Sequence, residues 1–101
     1  MINNEPIWVE VNVEGEITGE SYHGSFCVKP YLTHAERADA IRLAERYCLG
    51  IEQTVSEREF YTTMAFLKFH VIEAPDVDWW GDDGLDVLGD KEPIYAISSE
   101  I

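Results

Sequence analysis

Basic residues are scarce in this chain: seven Lys and Arg stand against 20 Asp and Glu in 101 residues, for a formal charge of −13. Such a field repels nucleic acid and anionic membrane, which excludes direct DNA or RNA binding through a basic patch. Cysteine is nearly absent. Cys27 and Cys48 have neither a second Cys nor a His at metal-ligand spacing, so they read as reduced, core-facing thiols rather than as a zinc site or a disulfide framework. Long apolar runs are missing too, because Lys68 and His70 interrupt the longest one well short of the roughly 20 residues of a membrane helix. The start, MINNEPIW, holds Glu5 and no early Lys or Arg, unlike a secretory leader. The expectation is a soluble intracellular protein of one domain, residues 1–101, with one modest core.

The acids are unevenly spread. Residues 1–28 hold five acids and no Lys or Arg, residues 29–75 hold six basic groups against seven acids, and residues 76–101 hold eight acids and only Lys91. Both ends are acidic and the middle is almost neutral. That pattern suits a protein kept soluble at high concentration, or one that attracts a basic partner.

What the chain does have is a central stretch, Thr54 to Glu73, in which Phe60, Met64, Leu67 and Val71 recur at helical spacing beside a second line, Tyr61, Ala65, Phe69 and Ile72. The apolar surface of this predicted helix is too broad for one contact, so it needs cover on two sides, from its own chain or from a partner. Before it, Ile7, Val9, Val11 and Val13 alternate with polar residues, and alternation resumes from Ser21 to Lys29 after the turn-prone Glu14-Gly15-Glu16 and Thr18-Gly19-Glu20. A hairpin over residues 1–30 follows. It must pack on a helix, pair with a further strand or pair with another chain. Thr33-His34-Ala35-Glu36 has capping-box spacing and predicts a helix from about 34 to 49, buried along Ala38, Ile41, Ala44, Cys48 and Ile51 and closed by Gly50. Thr54-Val55-Ser56-Glu57 repeats the box for the central helix, completing a helix pair over 33–74. Residues 75–101 read as an acidic loop and a short last helix, Glu92 to Glu100. The fold class is therefore α+β: an N-terminal antiparallel hairpin on two to three helices.

No chemistry-bearing arrangement stands out. Asp76, Asp78, Asp82, Asp83, Asp86 and Asp90 do not match a calcium loop, since aligning Gly84 with the loop glycine puts Gly81 and Trp79 where oxygen ligands belong. They read as solvated loop acids. His23, His34 and His70 share no ligand spacing, and neither a nucleophile elbow nor a phosphate-cradling glycine loop occurs. No catalytic residue, metal or cofactor is expected, and the protein is not expected to be an enzyme. The residues expected to meet a partner are Phe60, Met64, Phe66 and Leu67 of the central helix together with Trp79 and Trp80, whose indoles either anchor the acidic loop or form partner surface.

The run from Thr18 to Thr33, TGESYHGSFCVKPYLT, followed by the helix beginning Glu36-Arg37-Ala38-Asp39-Ala40, resembles small accessory proteins of tailed bacteriophages, the tail assembly chaperones among them. The resemblance implies a non-enzymatic protein of the host cytoplasm during infection, which keeps a phage tail component soluble and is capable of forming homo-oligomers. A different expectation rests on charge alone: an acidic inhibitor that imitates nucleic acid, presenting Glu10, Glu14, Glu16 and Glu20 with Asp76 to Asp90 to a basic groove on a host DNA-binding or defence protein.

Overall fold

A computed structural model describes residues 4–49, 54–80 and 88–101. Its elements are β1 (Ile7–Glu14), β2 (Ser21–Val28), α1 (His34–Cys48), α2 (Val55–His70), β3 (Val71–Glu73) and α3 (Glu92–Ser98). The period-two pattern does what it predicts. β1 and β2 pair antiparallel from Ile7 opposite Val28 to Glu14 opposite Ser21, which sets Val9 against Phe26 and Val13 against Tyr22 on one face. Trp8, Glu10, Asn12 and Glu14 alternate to the other, exposed side. In the connection, Gly15 N–H donates to the Glu20 carbonyl at 2.9 Å and Gly19 sits at φ 74°, a region that glycine occupies at little cost.

The hairpin finds both kinds of cover. β3 adds a third strand, with Val28 opposite Val71 and Cys27 opposite Glu73 across a register irregularity, giving the order β1-β2-β3. This corrects the helix expected to run to Glu73. Pro75 cannot continue a helix and disfavours helical backbone before it, while β-branched Val71 and Ile72 suit a ladder, so the chain leaves the helix at His70. His70 marks the junction. Its carbonyl accepts from Lys29 N–H at 2.8 Å, and its Nδ1–H donates to the Lys29 carbonyl at 2.7 Å.

α1 begins with the full capping box that its sequence prescribes, and α2 with only the Thr54 half of the box expected there. Thr33 Oγ1 accepts from Glu36 N–H at 3.1 Å, and the Glu36 carboxylate accepts from Thr33 N–H at 3.0 Å, closing the capping box of α1. The ion pair with Lys29, with the Thr33 amide behind it, lowers the Glu36 carboxyl to about 2. Thr54 Oγ1 caps α2 by accepting from Glu57 N–H at 3.2 Å. Pro93 occupies the first turn of α3, where a missing amide hydrogen costs nothing.

α1 packs on α2, and α3 packs against β1 and α2. The core gathers Val9, Val11, Phe26 and Val28 from the sheet, Met64 and Leu67 from α2, Trp79, and Ile94 and Ile97 from α3. Of the line expected to be buried on α1, only Ala44 is fully so among the described residues. The buried residues of α1 are Ala40 and Ala44, whereas Ile41 is 47% exposed and Ala38 and Cys48 are half-buried. Small side chains let two helices approach closely, and that contact fixes the rotation of α1. Gly50 and Ile51, and Asp82, Asp83 and Asp86, lie outside the described residues.

Candidate protein-binding groove

The fully buried residues of α1 are alanines, and while Tyr47 packs partly against the core, Ile41 and Leu49 stay outside. Ile41 and Cys48 of α1, Leu49 at its C-terminal cap and Phe66 of α2 line an open groove of about 420 Å³ between the two helices, together with the charged Glu45 and Arg58. Leu49 is 78% exposed. Phe66 also borders a second hollow of about 330 Å³, with Thr63, His70 and Ile101. Phe66 is thus a ridge between two depressions.

Of the six residues expected to meet a partner, four are enclosed by the chain itself. Phe60, Met64, Leu67 and Trp79 are all buried in the core, under the sheet, α3 and each other. For Phe60, Met64 and Leu67 the expectation of partner surface is corrected, since α2 sits between its own neighbours, and for Trp79 the loop-anchoring alternative holds. Trp79 lies edge-on to Tyr22 at 5.7 Å and 5.3 Å from Phe26, which anchors the acidic loop. Trp80 is half-buried, 5.4 Å from Phe26, with Lys68 Nζ 4.1 Å above its ring. Phe66 alone of the six reaches the groove. Sequence reasoning missed Ile41, Leu49, Glu45 and Arg58 as groove-lining residues. Their place in the groove follows from the rotation of α1, which residue types alone do not fix.

The acidic cluster also behaves differently from the expectation of solvated loop acids. Asp90 is 2% exposed and holds the β1–β2 connection together. Its Oδ1 accepts from Ile17 N–H at 2.8 Å and Thr18 N–H at 3.2 Å, and its Oδ2 accepts from the Tyr22 hydroxyl at 2.7 Å and from the Thr18 hydroxyl. Burial pushes the Asp90 carboxyl up, but these donors win and hold it at about 2. Burial and the facing Asp90 raise the Tyr22 phenol in turn. Four donors occupy the lone pairs of this carboxylate, so it has no capacity left for proton transfer or metal binding. Beside it, Glu92 Oε1 accepts from Glu16 N–H at 3.1 Å, while Oε2 is buried without a hydrogen-bond partner among the described residues. Asp76 and Asp78 are exposed as expected.

Among the described residues no three His, Cys, Asp or Glu side chains converge to hold a metal ion, and no helix is long and apolar enough to cross a membrane. Fold and site together define a small α+β domain with an apolar groove on its helix pair. Comparison with protein-family models, curated proteins and solved structures returned no match.

Proposed function

We propose that this protein is a non-enzymatic assembly or structural accessory factor, of the tail assembly chaperone kind in tailed bacteriophages, acting through protein–protein contacts in the host cytoplasm. The observation that carries the binding part of this reading is the groove of Ile41, Leu49 and Phe66, an apolar surface left open on an otherwise acidic molecule. Exposed apolar patches rimmed by polar groups are where soluble proteins meet partners, and a groove between two helices accepts an amphipathic element through its apolar face. The phage assignment rests on the resemblance of residues 18–40. A high negative charge suits the role, since it opposes aggregation of a protein that keeps another in solution.

Exposed Glu10, Glu14, Glu16 and Glu20 on the hairpin favour a second reading, the nucleic-acid-mimicking inhibitor. Buried Asp90 no longer counts toward that surface. Salt separates the two. Immobilised protein offered a lysate of infected cells should keep its partner in molar salt and lose it on Leu49→Asp if the groove binds. Release between low and moderate salt, with Leu49→Asp indistinguishable from wild type, would favour mimicry instead.

A further inference from the structure

The outer face of the sheet, turned away from the core, sets an aromatic ring among carboxylates. β1 sends Trp8, Glu10, Asn12 and Glu14 to that side, and the register places Trp8 opposite Cys27 and Cys27 opposite Glu73. Directly opposed residues of neighbouring strands project to the same face, so Trp8, Cys27 and Glu73 form one row across all three strands. Two strand spacings, about 10 Å, separate its ends. Cys27 in the middle is buried, whereas Trp8 at one end is 62% exposed and Glu73 at the other is exposed as well.

The surface beside this row is hollow. Trp8, Ser25, Glu73, Ala74 and Pro75 line a depression of about 470 Å³. Pro75 lies so close to Gly24 that a β-carbon there would stand 2.7 Å from the proline ring, which fixes that wall against the sheet. The Ser25 hydroxyl donates to Glu10 and holds this second carboxylate beside the hollow. The indole and the proline ring are thus the apolar sides, and Glu73 and Glu10 the charged ones. None of these residues lines the groove between α1 and α2.

Charge narrows the choice of guest. The three strands hold Glu10, Glu14 and Glu73 and neither Lys nor Arg, so a phosphate or carboxylate group is repelled. A neutral ring such as a sugar would stack on the indole and gain nothing from the charge. A cation gains from both, because the indole face attracts it through the ring quadrupole and the carboxylates attract it directly. Of the two basic side chains, the flat guanidinium lies on an indole and still presents its edge N–H groups to a carboxylate, which the compact ammonium does not. From this we infer that the hollow is a contact site for an arginine side chain of a partner protein, its guanidinium laid on Trp8 and its edge turned to Glu73, with Glu10 alongside. The site shares no residue with the helix-pair groove and stands or falls independently of it.

Titration with the blocked peptide acetyl-Gly-Arg-Gly-amide at about 0.15 M salt, followed by NMR of the tryptophan indole N–H groups and the backbone amides, tests the assignment. The Trp8 indole and the Glu73 and Ala74 amides should shift together and saturate, while the indoles of Trp79 and Trp80 stay in place. Citrulline in place of the peptide's arginine keeps the shape and removes the charge, and should weaken binding about fivefold or more. Trp8→Leu and Glu73→Gln should each weaken it about threefold or more, read at the Ala74 amide. Both positions are exposed, and an otherwise unchanged spectrum verifies that each variant is folded. Shifts that never saturate, a citrulline peptide that binds as well as the arginine peptide, or variants that bind like wild type would each overturn the inference. Movement of the Trp8 indole by neutral cellotriose and not by the arginine peptide would overturn it in favour of a stacked sugar.

Discussion

Asp90 carries more of this fold than any other polar side chain described. Its carboxyl is held at about 2 in the folded protein against an ordinary 3.8. A depressed carboxyl stabilises the fold fully above the ordinary value, and that contribution is lost as pH falls from 3.8 toward about 2. Asp90→Asn should therefore lower the melting temperature at neutral pH and flatten the part of the acid-unfolding curve between these values, as thermal melts at several pH values would read. Gly15 belongs to the same unit. A β-carbon there would collide with the Asp90 carboxylate, so Gly15→Ala should cost about 1–3 kcal/mol in denaturant titration. A neutral effect would mean that the connection shifts freely and that Asp90 does not fix it. None of this is visible in residue types, because an Asp in an Asp- and Gly-rich stretch looks the same whether solvent or the hydroxyls and amides of a distant turn surround it.

At the scale of elements, local rules set the starts and tertiary contacts set the ends and rotations. Thr33 and Thr54 cap the helices that they head, and the alternation of β1 fixes its register with β2. The end of α2 is illegible in the sequence because apolar spacing at Val71 and Ile72 satisfies a helix and a strand alike, and the choice depends on β2 lying alongside. The rotation of α1 is illegible because Ala40 carries a weaker hydrophobic signal than Ile41, although its size is what suits a close helix contact. A contrast between two substitutions checks the outcome. Met64→Ala, at 1% exposure, should destabilise by about 2–5 kcal/mol, whereas Ile41→Ser in the groove should stay within about 0.5 kcal/mol of wild type. Equal losses would place Ile41 in the core and close the groove.

Over the whole molecule, net charge is segregated. The sheet end carries the exposed acids of the hairpin with Trp8, Ile17 and Ile72 exposed among them, and the helix pair is balanced in formal charge with Ile41, Leu49 and Val55 exposed. For two bodies of this charge, repulsion opposes association and salt screens it, while burial of Leu49 and Phe66 is insensitive to modest salt. Capture of a partner through the groove should therefore hold as ionic strength rises from low to moderate values, whereas acid-to-base docking weakens, and pull-down at matched protein concentration would read the difference. Amide hydrogen exchange tests most directly where this protein makes contact, by comparing the partner-bound protein with the free protein. The account predicts slowed exchange within residues 41–49 and 55–66 and unchanged exchange in residues 14–20. Slowing confined to residues 14–20 and the segment after Pro75, with the helix pair untouched, would contradict it.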